Sequence, residues 1–357
     1  MKTIKVRDIQ GKEILGQPIF NSNGVMLVPD GTVIKKDYIQ TFLDLGVEEI
    51  QIKDELYVGI DYDEMVDEEV KEECYHLIKD IVKNQTKGTP AEDVEIGKVT
   101  EEILQSVMDQ EEVFINVNKI RSSDHAAYEH AINVAALSTI VALKLQIPRH
   151  SVKEYAIGAL LHDIGMTFVP AVFRNEFDDD LGNSKVEVVK NHVFYGLDHL
   201  RKKDMYSDMV LDIVRNHHER IDGSGYPSGL IGTNIDRGSR IIAVCDTFDG
   251  MVFGVSDRSR VYEAIEYIQG NCGKLFDEKV VKAFMDSVAL YPTGSIVITS
   301  EGDTAMVHRQ NKGYPARPLL RLIKDKRGEV YNKYILKDLM KELSLFILDS
   351  VENIYPR

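Results

Sequence analysis

The sequence predicts a mainly α-helical protein: a large helical bundle over 94–290, with a small α+β module before it and a small antiparallel β module after it. Three observations carry this. Between about 95 and 290, apolar residues recur at three- and four-residue spacing, as in Ile132, Ala135, Ala136, Thr139 and Ile140, which is the period of a helix that buries one face. Residues 1–60 instead alternate short apolar runs with Asn23-Gly24 and Asp30-Gly31, dipeptides suited to tight strand connections. After Tyr291-Pro292 the short apolar runs return, with Glu301-Gly302-Asp303 and Lys326-Arg327-Gly328 as turns.

In chain order, Val25-Met26-Leu27-Val28 and Thr32-Val33-Ile34 belong to a small sheet, with one helix near Asp37 to Leu45. This first module, 1–60, suits a regulatory or sensory role. The acidic stretch Asp61 to Glu73 opens a helix that ends near Asn84, its charges forming a solvated face. Lys87-Gly88-Thr89-Pro90 reads as a linker, so 61–93 is expected to be helix and linker. A long helical run from Asp93 to Arg121 then enters the bundle, either carrying a signal across a homodimer or simply packing. In the last module, 291–357, strands are expected at Ser295 to Thr299, Thr304 to His308 and Leu319 to Ile323, closed by a helix from Lys337 to Asp349.

At 357 residues the chain is longer than one hydrophobic core usually serves. No apolar run is long enough to cross a bilayer and the start is polar, so a cytoplasmic protein without a membrane span is expected. Cys74, Cys245 and Cys272 are odd in number and far apart, which fits reduced thiols and not a disulfide framework. The formal charge of −15 repels long nucleic acid. A small anionic ligand therefore needs a local cation or a metal site.

Five of the ten histidines, His130, His162, His192, His217 and His218, fall in the helical region at positions with aspartate or histidine neighbours, together with Asp163 and Asp246. Mixed imidazole and carboxylate sets suit borderline divalent metals. A lone histidine is more often a surface or capped residue, and that reading holds for His76, His125, His150, His199 and His308. The pair His162-Asp163 differs, because it follows Ala159-Leu160-Leu161, where burial is costly unless both groups are paired or metallated. Neighbours on a helix point roughly 100° apart, so both members of a pair reach one site only if it lies between their directions.

Leu161-His162-Asp163-Ile164-Gly165 resembles the signature of the HD phosphohydrolases. The run His217-His218-Glu219-Arg220-Ile221-Asp222-Gly223-Ser224-Gly225-Tyr226-Pro227 is similar to the long signature of the HD-GYP family. Tyr128 to Val134, Lys190-Asn191-His192 with Gly196, Arg240 to Asp246, and Gly273 with Phe276-Asp277 extend the resemblance over roughly 120 to 290. It implies a helical bundle that hydrolyses cyclic-di-GMP with two divalent transition-metal ions, iron or manganese first, with nickel, cobalt or zinc as alternatives. One ion would be held by His130, His162, Asp163 and Asp246, and Asp163 would bridge to a second held by His192, His217 and His218. His162 and Asp163 are the implied catalytic residues, with water activated between the metals as nucleophile. A third metal would use a glutamate where this chain has Ala126, so two metals are expected. Tyr226 and Gly225 would line the nucleotide pocket, and Arg240 and Asp222 would support it through ion pairs or hydrogen bonds.

The chain departs from the family where substrate phosphate would be held. Met166 stands in place of the usual lysine, Glu176 in place of another, and Val255 in place of an arginine. Arg258, Arg260, Arg174, Lys185 and Arg201 are the candidate replacements, with Arg258 and Arg174 foremost. Three readings follow: a cyclic dinucleotide phosphodiesterase, a regulatory module that binds nucleotide or partner without turnover, and a hydrolase of some other phosphoester. The first is preferred, since every metal ligand implied by the resemblance is present.

Overall fold

Short apolar runs cut by turns pair off at the N-terminal end. β1 (Lys2–Lys5) lies antiparallel to β4 (Glu49–Ile52), and β2 (Ile19–Phe20) to β3 (Met26–Val28), with α1 (Tyr38–Asp44) alongside. Thr32-Val33-Ile34 contributes only a single bridge, Val33 to Ile14. Val6, Ile9, Leu15, Ile34, Phe42, Ile50 and Ile52 form the core of this module. The computed structural model describes residues 2–20, 26–45, 47, 49–53, 65–84, 87–109, 126–170, 182–253, 260–311 and 313–351.

The chain divides into two units. One comprises Met1–Asp63, Phe114–Ala127 and Tyr291–Arg357, and the other Glu64–Val113 and Tyr128–Leu290. The second unit is helical. α2 (Glu68–Lys83) and α3 (Pro90–Asp109) form a hairpin inside it, so 61–93 is not a separate segment. Lys87 to Thr89 connects the two helices, and the Gly88 amide donates to the Lys203 carbonyl at 2.9 Å. The expected run to Arg121 is helical as far as Asp109, and 110–125 lies outside the described residues.

α4 (Ala126–Lys144) and α5 (Arg149–Leu161) are apolar on nearly every face, which makes them the buried centre of the bundle. A 3-10 turn (Ile164–Phe168) follows α5, and then come α6 (Gly182–Lys190), α7 (His192–Lys203) and α8 (Asp208–Asn216). α9 (Arg237–Phe253) packs against α5, α8, α10 (Val261–Gly270) and α11 (Glu278–Met285). A buried ion pair, Lys203 to Glu92 at 2.8 Å, ties α7 to α3, and the His199 ring nitrogen bonds the Ile81 carbonyl of α2 at 2.9 Å. His199, expected as a surface or capped residue, is thus a buried and satisfied core residue. Cys74 and Cys245 are buried and Cys272 is exposed.

At the C-terminal end β5 (Ile296–Thr299), β6 (Thr304–Arg309), β7 (Leu319–Lys324), β8 (Val330–Asp338) and β9 (Ile347–Val351) form one antiparallel sheet in the order β8-β7-β6-β5-β9. Register places Val297 beside Ala305 and Val307 beside Leu320, over a core closed by Leu339 and Leu345. The helix expected from Lys337 to Asp349 is absent. Arg317 donates to the carbonyls of Leu339, Glu342 and Leu345, which satisfies them in a turn instead of a helix. The backbone then gains a full ladder by pairing β9 with β5. Tertiary pairing overrides a local pattern that was compatible with either form.

Candidate metal centre

Three helices end at one place in the second unit. α5 runs into His162-Asp163, α6 is followed by His192, and α8 by His217-His218. The last carbonyls of a helix have no partner within it. Here the histidines take them: His162 Nδ1 bonds the Ala159 carbonyl at 2.7 Å, His192 Nδ1 the Val189 carbonyl at 2.8 Å, and His217 Nδ1 the Val214 carbonyl at 3.0 Å. A carbonyl only accepts, so each Nδ1 carries the proton and each Nε2 turns its lone pair inward. Placing the adjacent pairs at helix ends, and not within helices, lets both members of each face the same space.

His130 and Asp246 complete the ring of donors from α4 and α9. The atoms fall into two groups, His130 with His162 and Asp246, and Asp163 with His192, His217 and His218, each within 4.8 Å. Asp163 reaches both: Oδ2 lies 3.9 Å from His130 and 3.6 Å from His162, and Oδ1 lies 3.2 Å from His192 and 3.6 Å from His217. Asp246 lies 3.1 Å from His130 and 3.8 Å from His218. Gly165 permits this closeness, since a Cβ there would fall 1.9 Å from the His192 carbonyl oxygen.

The two Nε2 atoms of His130 and His162 stand 3.2 Å apart, and those of His192 and His217 stand 3.3 Å apart. With Nδ1 of His162, His192 and His217 committed as donors, neutral rings would set lone pair against lone pair, an arrangement that a proton on one ring relieves in the metal-free protein and that a bound divalent cation would relieve in its place. The donor set fits divalent transition metals.

Burial opposes charge on Asp163 and Asp246, yet the surrounding imidazoles hold both carboxyls well below the usual range. Burial lowers His217 and, with His217 beside it, holds His218 well below the ordinary imidazole value. Burial also opposes a proton on His130, but its hydrogen bonds to Asp246 and Asp249 push it up to about 10. His192 is raised by Asp163 against burial.

Comparison with known proteins agrees with the geometry. Residues 114–280 match the HD domain, and 296–354 a KOW domain associated with the HD domain. The helical core is thus similar to the HD-GYP family. A cyclic di-GMP phosphodiesterase of Pseudomonas aeruginosa is 30% identical over 247 residues, 68% of this chain and 59% of the relative. A 3'3'-cGAMP-specific phosphodiesterase of Vibrio cholerae is 30% identical over 46% of this chain and 36% of its own length. The chain thus spans less than two thirds of these curated relatives. The solved structure of an HDG"Y"P protein from Bdellovibrio bacteriovorus aligns with TM-score 0.50 at 17% identity, covering 80% of this chain and 98% of that one, which supports the fold.

The HD-GYP loop folds back on the metal centre. Glu219, buried, accepts from the Ser228 and Leu230 amides at 2.7 and 2.9 Å, and Asp222 accepts from the Ser224 amide at 2.9 Å. Gly225 lies so close to the backbone that a Cβ would sit 2.4 to 2.5 Å from atoms of His218, Glu219 and Arg220. It therefore shapes the loop. The result is that the Tyr226 ring stacks on His218, centroids 4.7 Å apart and planes 30° apart. Burial, with Asp163 and Asp246 nearby, raises the Tyr226 phenol, which stays a protonated donor at neutral pH.

Arg258, Arg174, Glu176 and Val255 lie outside the described residues. Met166 sits half-buried in the 3-10 turn. Arg240 pairs with Asp277, not with Asp222. Sequence reasoning missed Asp249, fully buried, whose Oδ2 lies 2.6 Å from His130 Nδ1 and whose Oδ1 accepts from Asn133 at 2.9 Å. The signal was present: Asp249 lies three residues after Asp246, and Asn133 three after His130, each on the same helix face as its neighbour.

Proposed function

We propose that this chain is a metal-dependent phosphodiesterase that hydrolyses cyclic-di-GMP or a related cyclic dinucleotide. The observation that carries the reading is the pair of facing Nε2 couples with the Asp163 carboxylate reaching both. His130, His162, Asp163 and Asp246 would hold one divalent cation, and Asp163, His192, His217 and His218 a second. Iron or manganese are the first candidates for both, with nickel, cobalt or zinc as alternatives. Such a cation pair lowers the pKa of a water and offsets charge on phosphoryl oxygens. The protein's own part is to fix the imidazoles through their Nδ1 bonds, to hold His130 through Asp249, and to present the Tyr226 phenol as a donor beside the reacting phosphate. The names of the relatives from Pseudomonas aeruginosa and Vibrio cholerae support the substrate class.

The test is turnover of cyclic-di-GMP and of 3'3'-cGAMP by purified, metal-loaded protein, with products separated by chromatography. Linear or mononucleotide product is expected, and Asp163→Ala or His162→Ala abolishes it. No product with iron, manganese, nickel or cobalt sinks the reading. Met166, which leaves the turn after Asp163 without a cation, favours a second reading, a module that binds the nucleotide without cleaving it. Calorimetric binding by metal-loaded protein that yields no product would select it.

A further inference from the structure

We propose that Lys190 is the cation that grips a phosphate of the cyclic dinucleotide at this centre, in place of the lysine replaced by Met166; this rests on the functional reading above. A cyclic dinucleotide carries two phosphates and two negative charges. A single metal pair engages the phosphate being cleaved, so the second phosphate needs a cation of its own. In a chain of net charge −15 that cation has to be supplied locally.

The geometry points to Lys190. It ends α6, two residues before His192, and its ammonium lies over the Tyr226 ring at 5.0 Å from the centroid. Tyr226 in turn stacks on His218 at 4.7 Å. The ammonium is therefore held two ring contacts from the metal donors, on the side of the site walled by the HD-GYP loop. Among the described residues of the helical unit, Lys202 pairs with Asp198, Lys203 with Glu92 and Arg240 with Asp277, while Arg220 bonds Thr247 and lies over the Phe276 ring. Lys190 is exposed and forms no ion pair among the described residues. An exposed ammonium held by a tyrosine ring alone is weakly held. It is readily exchanged for the charge-assisted contact that a phosphate oxygen offers. Lysine, a point charge on a flexible stem, suits a phosphate whose position varies between cyclic dinucleotides.

The experiment compares Lys190→Ala, Lys190→Met and Lys190→Arg with wild type in steady-state hydrolysis of cyclic-di-GMP, with metal content measured in each. Loss of one charge-assisted phosphate contact raises KM about tenfold or more in the alanine and methionine variants, with a smaller change in kcat. Arginine restores KM to within about threefold, because it keeps the charge. The gap between wild type and the methionine variant narrows as salt rises. A Lys190→Met KM equal to wild type overturns the proposal. So does a fall confined to kcat, which would make Lys190 a prop for Tyr226. If wild type cleaves nothing, calorimetry of cyclic-di-GMP on metal-loaded protein takes over. Binding that Lys190→Ala leaves unchanged removes the role of the lysine alone, whereas no binding by wild type overturns both readings.

Discussion

Removing the Asp249 carboxylate should weaken one of the two proposed cation sites and spare the other. Asp249 has no solvent exposure, and its two oxygens are divided between His130 Nδ1 at 2.6 Å and Asn133 Nδ2 at 2.9 Å. In Asp249→Ala the Nδ1 proton of His130 loses its acceptor in a buried site, at a cost of about 1–3 kcal/mol. Loss of the partner that orients a ligating histidine typically costs about 10–100-fold in metal affinity, which corresponds to about 1.4–2.7 kcal/mol. Two independent routes thus give the same size. Asp249→Asn should do nearly as badly, since its amide nitrogen would face either His130 or Asn133, both of them donors. The assay is competition against a chromophoric chelator, with elemental analysis after dialysis. The expected titration is biphasic, one site near wild-type affinity and one weakened at least tenfold, with circular dichroism unchanged. Wild-type affinity at both sites in Asp249→Ala would refute the argument that this carboxylate fixes His130.

Other perturbations test the frame around the centre. Gly225→Ala pushes a methyl into the backbone of His218 to Arg220 and should displace Tyr226 from His218, seen as lost near-ultraviolet tyrosine ellipticity and a lowered Tm. Lys203→Met strands the Glu92 carboxylate in a site where Lys203 has no exposure, and chemical denaturation should show a loss of about 3–5 kcal/mol. Adding Glu92→Gln should recover part of it. Asp277 caps α11 and pairs with Arg240; burial opposes its charge, but these bonds hold it below the usual carboxyl value. Its contribution is therefore full above the unfolded carboxyl value of about 3.9 and fades as pH falls through the lower folded value. Asp277→Asn, which keeps the cap, should lower Tm at pH 7 and match wild type once both are acidified below that window.

The helical bundle and the clustering of the candidate donors were legible because each rests on a local cue. Apolar spacing marks α4 and α5, a polar pair set in an apolar run marks His162-Asp163, and the signature run marks His217-His218. The second layer around the site was illegible for the opposite reason. Asp249 acts on a partner 119 residues away, and only its spacing from Asp246 hints at it; Glu219 lies in the signature run, but its bonds to the loop's amides do not show there. The strand β9 was missed because Leu339 to Leu348 permits helix or strand, and only pairing with β5 decides between them. The expected partnership of Arg240 failed in the same way: its partner, Asp277, lies on the following helices and not in the signature.

Helix polarity gives the centre an order of events. α5, α6 and α8 all present C-terminal ends to the site, and such ends carry partial negative charge. The ionised Asp163 and Asp246 add to it. Before cations arrive, the field at the donors favours positive charge and repels phosphate. Once two divalent ions are seated, their four charges outweigh the two carboxylates and the sign at the centre reverses. On the proposed function, the same donors would exclude an anionic nucleotide from the metal-free protein and anchor it in the metal-loaded one. The cation over Tyr226 lies outside this inner ring, so its attraction for phosphate does not depend on the ions. Capture of the outer phosphate and engagement of the reacting one are then separate interactions, resting on separate charges.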